Sequence, residues 1–488
     1  MARVLLSHSY FYYFDPKQWR AKRPYPPLGT LYAASVLRDQ GHEVIFFDNA
    51  LEKNTGAFAR ILKTSKPDVL VLYDDGFNYL TKMCLTNMRE ASFEMTSMAN
   101  RLGIPVVVSS SDSTDQHKMY LDQGVDFVIL GEGEITLKEL IHSLSAKEVD
   151  VSSISGLVFK KGAEMIRTKP RTELRNLDEL PFPAWDILDV NRYKDIWMKN
   201  HGYFSLNIST TRGCPFKCNW CAKPIYGNRY NSRSPQKVAQ EMTMLTEQFQ
   251  VDRFWITDDI FGLKPNWVHE FAAEVERTNQ HFKYVIQSRV DLMLKDDNLK
   301  SMIRSGLHEV WVGAESGSQK ILDAMDKGIT VDQIREATRI VHSYNRRICF
   351  FLQLGYPGEE QDDIQKTIDL LLELMPDDIG VSVSYPLPGT VFYERVKNEL
   401  ALKSNWTDSD DLDLMYSGSF DSEYYKKIHR VIHKLYRRKQ GLRYLNSPLI
   451  KWKKYRMTEL RSIALSLFYY TPIVVFGGLH KKQIHNPG

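Results

Sequence analysis

The 488-residue chain is 43% hydrophobic and 25% charged, with a formal net charge of +4. These proportions exclude a disordered polyelectrolyte, and the length exceeds one ordinary core, so two or three domains are expected. Five cysteines are too few for a disulfide framework, and Met1-Ala2-Arg3-Val4-Leu5-Leu6-Ser7 carries no cleavage signal, so it reads as a first strand of a cytoplasmic protein.

Residues 1–145 alternate short apolar runs with amphipathic segments, the pattern of a parallel sheet wrapped by helices. Strands are expected at Arg3–Ser7, Glu43–Phe47, Asp68–Tyr73, Pro105–Ser109 and Asp126–Leu130. Five such strands suit a Rossmann-like, flavodoxin-like sheet, whose ligands bind beyond the carboxyl ends of the strands. Residues 146–200 read as a linker, with a hairpin at Gly156–Gly162 and a proline-stiffened connector at Leu177–Asp186. Alternation resumes over 201–395, with strands expected at Ser205–Ser209, Arg253–Thr257, Tyr284–Ser288, Glu309–Gly313, Cys349–Leu354 and Gly380–Tyr385. Six such units imply a partial (β/α)6 TIM-type barrel with functional residues at its carboxyl-terminal rim. Residues 396–488 read as a helical C-terminal region, with an acidic segment at Trp406–Phe420 and a histidine-containing helix at Tyr424–Gln440.

The densest chemistry lies just after the first barrel strand, in Thr211-Arg212-Gly213-Cys214-Pro215-Phe216-Lys217-Cys218-Asn219-Trp220-Cys221. Three thiolates can hold an iron–sulfur cubane with one iron left open to a chelating ligand. Zinc, disulfides and inert buried thiols are the alternatives. Structural zinc takes four ligands, and the other cysteines, Cys84 and Cys349, stand alone in apolar surroundings.

The C-x3-C-x2-C spacing, with Trp220 before the last thiol, resembles the cluster loop of the radical SAM superfamily. That resemblance implies a [4Fe-4S] cluster on Cys214, Cys218 and Cys221, whose open iron chelates S-adenosylmethionine (SAM). Asp258 and Asp259 resemble the family's site for the methionine amino group. Gln287, Arg289, Glu315 and Ser316 resemble its carboxylate and ribose contacts, and Gly355 and Pro386 fall in the stretches near the adenine. Singly, such residues are also ordinary caps; their order after successive strands carries the likeness.

A second likeness covers the first domain. Tyr25-Pro26-Pro27-Leu28-Gly29-Thr30, Gly41-His42-Glu43-Val44 and Gly131-Glu132-Gly133-Glu134 resemble the cobalamin-binding domain that precedes many radical SAM cores. It implies corrin contacts from Leu28, Gly29, Ser109, Ser110, Ser111, Gly131, Glu132 and Gly133. The Asp-x-His-x-x-Gly pattern is replaced by Ser7-His8-Ser9, the Gly-Gly after the fourth strand by Ser109-Ser110-Ser111, and Asp115-Gln116-His117 lies in another loop. Neither His8 nor His117 is read as an axial cobalt ligand.

Together the motifs are similar to the cobalamin-binding, class B type radical SAM family, related to methyltransferases and to the anaerobic magnesium-protoporphyrin monomethyl ester cyclases. The resemblance implies reductive cleavage of SAM and cobalamin-dependent methyl transfer to an unactivated carbon, with cyclisation, rearrangement or oxidation as the alternative outcome. A non-catalytic sensor of cluster and corrinoid is the alternative of another class. An electron donor of flavodoxin or ferredoxin type is implied. Between Lys426 and Arg461 stand 13 Lys and Arg against one acid, Glu459, followed by the apolar run 463–478. That run is shorter than a spanning helix needs. The tail suits peripheral contact with the inner face of an anionic membrane, hence a lipid-like substrate, as well as simple packing on the barrel. Nucleic acid is disfavoured for want of a reader fold.

Overall fold

The computed structural model describes residues 1–77, 85–146, 150–223, 225–295, 297–400, 403, 405–445 and 464–465. The first sheet contains β1 (Arg3–Ser7), β2 (Glu43–Phe46), β3 (Val69–Tyr73), β4 (Val106–Ser109), β5 (Phe127–Ile129), β6 (Leu157–Lys161) and β7 (Glu164–Arg167), in spatial order β2-β1-β3-β4-β5-β6-β7. The first five pair in parallel, which is the flavodoxin-like order. Val69–Tyr73 is buried at every residue, as expected of a strand covered on both faces.

The hairpin assigned to the linker belongs instead to this sheet. β6 pairs antiparallel with β5, Phe127 opposite Phe159 and Ile129 opposite Leu157, and β7 pairs with β6. The reason is local: β5 has only three residues, and the apolar Leu157, Val158 and Phe159 cover an edge that would otherwise lie open.

The connector that follows is packed into the body of the protein. Ser35 donates to the Phe182 carbonyl, and the Ala184 amide donates to Leu31 at 3.1 Å. Trp185 Nε1 reaches Glu241 at 3.2 Å, and Trp197 Nε1 reaches the Pro24 carbonyl at 2.8 Å. The helix Leu28–Asp39 is buried from Leu28 through Leu37 because it is covered by the sheet, the helix Glu134–Leu144 and this connector. One apolar cluster therefore runs from Leu28, Leu31 and Tyr32 through Trp185, Tyr193 and Trp197 into the second domain.

The second sheet is the open half-barrel. Its strands are β8 (Ser205–Ile208), β11 (Arg253–Ile256), β12 (Tyr284–Ser288), β13 (Leu307–Glu315), β14 (Arg347–Leu354) and β15 (Asp378–Val383), in order β15-β14-β13-β12-β11-β8 and all parallel. Parallel alignment places all six carboxyl ends on one rim, where a barrel's active residues collect. A two-stranded ribbon, β9 (Thr211–Arg212) with β10 (Asn231–Ser232), frames the thiol loop between β8 and β11.

The C-terminal region straps both units. The Trp406 carbonyl accepts from the Thr86 amide at 2.7 Å, Ser409 binds Asp15 at 2.8 Å, and the helix Ser422–Leu445 docks through Tyr436 on the Pro376 carbonyl at 2.6 Å. Among the described residues no helix is long and apolar enough to cross a membrane. Apart from 464 and 465, the tail beyond 445 lies outside the described residues, as does Cys84.

Candidate active site

The thiol loop is pinned at both ends. At its start, Gly213 has a φ of +80°, and a Cβ there would fall on the carbonyl oxygens of Arg229 and Tyr226; only glycine turns the chain here. Gly213→Ala is expected to cost more than the ~1–2 kcal/mol of a left-handed L-residue, because backbone rather than side chain stands in the way. Iron content after anaerobic reconstitution should drop sharply with the far-ultraviolet dichroism preserved, and full iron loading would refute this account of the turn.

Asp258, placed by the end of β11, accepts from the Thr210 and Thr211 amides at 2.7 and 2.9 Å and from the Thr210 hydroxyl. Burial pushes its carboxyl up to about 6 against these bonds. Its oxygens serve the loop's own backbone. Asp259 faces the thiols instead: its charge helps raise Cys214 and Cys221, although burial is the larger cause and pushes Cys221 up to about 12. Iron binding must displace those protons.

Asn219, inside the cysteine motif, was not anticipated. Its amide side chain donates to the Ala324 carbonyl at 2.6 Å and to Asp326 at 3.0 Å, accepts from Tyr356 at 2.6 Å, and its backbone N–H donates to the Met325 carbonyl at 3.1 Å. One side chain thus ties the thiol loop to the ends of two further barrel units. Cys214, Cys218 and Cys221 remain partly accessible. Among the described residues no three His, Cys, Asp or Glu converge on a single ion, whereas a cubane takes each thiolate on its own iron. The soft donor set fits the cluster.

Beside the loop lies a second set of charges. Arg289, after β12, stacks over the Phe216 ring at 3.9 Å, and its guanidinium is spent on Asp291 at 2.9 and 3.3 Å and on the Lys327 and Gly328 carbonyls at 2.7 and 3.2 Å. The carboxylate it grips, Asp291, is in its own chain. A bulge in β13 between Gly313 and Glu315 puts Glu315 at φ +55°, and its carboxylate meets the buried ammonium of Lys327 at 2.7 Å. Burial opposes the charge on Lys327, but Glu315 and the Cys218 sulfur outweigh it and leave its pKa raised. Lys327 is 5.8 Å from the Trp220 ring centroid. It is the cation beside the cluster loop that sequence reasoning missed.

The remaining expected contacts are largely structural. Gln287 is half-buried on β12. The Ser316 hydroxyl is engaged by Thr367 at 3.0 Å and by the Ser318 amide at 3.1 Å. Gly355, at φ +75°, donates its amide to Glu359 at 2.7 Å and gives its carbonyl to Tyr416. Pro386 is buried beyond β15.

At the carboxyl edge of the first sheet, Leu28 is fully buried, and the Gly29 amide donates to Asp75 at 3.0 Å. A Cβ on Gly29 would sit 3.1 Å from that carboxylate, so this close approach serves Asp75. Ser109 is buried at the end of β4, Ser110 caps the short helix Ser111–Asp115, and the Gly131 amide donates to Thr114 at 3.2 Å. A Cβ on Gly133 would lie 2.8 Å from both Ser109 Oγ and the Tyr73 hydroxyl. Among the described residues the buried Ser111 Oγ has no hydrogen-bond partner. An orphaned hydroxyl at a ligand-binding edge fits a corrin amide. His8 Nε2 is held by Asp48 at 3.0 Å, which also accepts from Tyr193 at 2.6 Å.

Glu132 is used differently from expectation. It accepts from the Leu174 amide at 2.6 Å and from Arg212, which also reaches Glu134 at 2.8 Å. The Arg212 guanidinium carbon lies 5.4, 5.2 and 5.1 Å from the rings of Tyr32, Phe77 and Tyr226. Burial raises Glu132 above the usual carboxylate range despite Arg212.

Comparison with known proteins agrees with both halves of this geometry. The B12 binding domain matches residues 20–141, and the Radical SAM superfamily matches residues 208–371. An uncharacterized methyltransferase of Pyrococcus horikoshii is 29% identical over 416 residues, covering 83% of this chain and 86% of its own. An anaerobic magnesium-protoporphyrin IX monomethyl ester cyclase of Synechocystis is 25% identical over 378 residues, covering 76% and 73%. The radical SAM methyltransferase TsrM of Kitasatospora setae, solved with cobalamin and a [4Fe-4S] cluster, shares the fold with a TM-score of 0.67 at 19% identity, over 82% of this chain and 75% of that one. The chain is an enzyme that carries a B12-binding domain ahead of a radical SAM domain, with a [4Fe-4S] cluster, SAM and cobalamin as cofactors.

Proposed function

We propose that this enzyme transfers a methyl group to an unactivated carbon of a hydrophobic small molecule. The observation that supports the reading is the joining of two cofactor edges, the thiol loop and the carboxyl edge of the first sheet, through one buried side chain, Arg212. When bound, the cofactors supply radical generation from SAM and the methyl group that is transferred. The protein binds, orients and excludes water. The Asn219 and Asp258 contacts hold the thiol loop to the barrel rim. Glu315 and Lys327 offer an acceptor and a cation for the zwitterionic end of SAM, roles that their position beside Cys218 and Trp220 supports.

Lys327→Met is expected to weaken SAM binding to the reconstituted protein about 10- to 100-fold, the loss of a charged hydrogen bond of ~1.5–3 kcal/mol. Equilibrium dialysis with labelled SAM measures it, and unchanged affinity would remove Lys327 from the site. The function is tested by anaerobic reconstitution with hydroxocobalamin, SAM and a reductant. Formation of 5′-deoxyadenosine together with a stoichiometric corrinoid supports methyl transfer. The same nucleoside from a protein that binds no corrinoid would favour cyclisation or rearrangement, and no nucleoside under several reductants would favour the sensor.

Radical SAM enzymes need a reductant and a small-molecule substrate; a flavodoxin- or ferredoxin-type donor and a lipid-like substrate are the finer proposals. The described helix Ser422–Leu445 carries Lys427, Arg430, Lys434 and Arg438, which supports docking of a cytoplasmic protein on an anionic surface. Flotation with anionic liposomes after deletion of 447–488 tests this, and unchanged partitioning rejects the tail as the anchor.

A further inference from the structure

We propose that Arg212 is a positioning residue that fixes the distance between the corrin edge of the first domain and the cluster loop of the second. The inference rests on the cobalamin reading and adds to it the element that sets the spacing of the two cofactors.

The side chain and the backbone of Arg212 belong to different domains' machinery. Its backbone lies in β9, paired with Asn231 of β10, directly after the two amides that Asp258 holds and two residues before Cys214. Gly213 separates Arg212 from the first thiol and is wedged against the Arg229 and Tyr226 carbonyls. A displacement of Arg212 must therefore carry Cys214 with it. Its side chain, 4% exposed, ends on Glu132 and Glu134, the turn after β5 at the ligand edge of the first sheet. That turn is set in place by the Gly131 amide on Thr114 and by the approach of Gly133 to Ser109 and Tyr73.

The chemistry of the clamp suits registration. A planar guanidinium reaching two carboxylates from one turn fixes orientation as well as distance, which a lysine ammonium cannot reproduce. Tyr32 from the first helix of the sheet, Phe77 from the loop after β3 and Tyr226 from beyond the thiol loop surround it. Two carboxylates against one buried guanidinium make a costly arrangement. Buried ion networks of this kind are better at specifying geometry than at adding stability.

The test uses the full chain, reconstituted with its cluster and loaded with hydroxocobalamin that is then reduced to the paramagnetic cob(II) state. Relaxation of the cobalt electron spin by the reduced cluster reads the distance between the two centres. The wild type should give one narrow distance. Arg212→Met combined with Glu132→Gln and Glu134→Gln removes every charge of the clamp at similar volume; it should fold, bind both cofactors and lose the single distance. Arg212→Lys, limited to a point charge, should fall between them. Should the triple variant be insoluble, Glu132→Gln alone should still broaden the distance. A variant distribution identical to the wild type would overturn the proposal. Failure of the wild type to take up any corrinoid would overturn the cobalamin reading and this inference with it, and that failure is visible without any variant.

Discussion

Replacing any one of Cys214, Cys218 or Cys221 with alanine is expected to abolish 5′-deoxyadenosine formation and to strip the anaerobically reconstituted protein of its stoichiometric iron and sulfide. Each thiolate holds a different iron of the cubane, so a single loss leaves an iron that no neighbour can take over. Cys349 cannot substitute: it is fully buried on β14, with its backbone registered against Trp311 and Asp378. The surrounding contacts do not depend on the thiols, because Asn219, Asp258 and Gly213 hold the loop through amides, carbonyls and carboxylates. Each variant should therefore remain folded by circular dichroism and keep its affinity for hydroxocobalamin. Turnover in any one of the three would disprove the assignment of that cysteine, and loss of corrin binding as well would show that the loop has a wider structural role.

The cysteine spacing, the parallel strands and the position of the loop after the first barrel strand were legible because they are local patterns of thiols and apolar residues. What the sequence could not distinguish was which of two adjacent acids faces inward. Asp258 turns onto the loop's amides and Asp259 toward the thiols, a difference decided by one step of strand-end geometry. The pairing of Arg289 with Asp291, two residues later, is a second such detail that the motif does not display. Lys327 reaches Glu315 across a helical turn with no periodic trace, and Asn219 was hidden inside a motif read only for its sulfurs. Glu132 and Arg212 are 80 residues apart. Their pairing depends on the packing of the two domains, to which the connector at 177–186 and the C-terminal strap both contribute, a tertiary effect that no window of sequence carries. The hairpin expected at 156–162 runs on through β7 to Arg167 and joins the first sheet, a pairing that its partner edge, β5, is too short to announce.

Between pH 5 and pH 8.5 the stability of the wild type relative to Glu359→Gln should fall. Glu359 closes the turn after β14 by accepting from the Gly355 amide, and it is fully buried beside the Tyr425 hydroxyl. Burial, reinforced by the nearby Asp363, pushes it up to about 8; the hydroxyl-bearing rings of Tyr416, Tyr424 and Tyr425 face it, and their pKa values are raised in part by its charge. The unfolded chain releases this proton near 4.5, so between that value and about 8 the folded state binds more protons than the unfolded state. Stability contributed by the protonated form is full below pH 4.5 and declines as pH rises through that window. The shift corresponds to on the order of 5 kcal/mol across the whole interval. Glutamine keeps the carbonyl that accepts from Gly355 but has no proton to lose. The variant should be no more stable than wild type at pH 5, because its buried amide N–H groups need partners, and more stable at pH 8.5. Denaturant unfolding at the two pH values reads the crossover, and parallel slopes for the two proteins would show that Glu359 does not carry its proton into the neutral range.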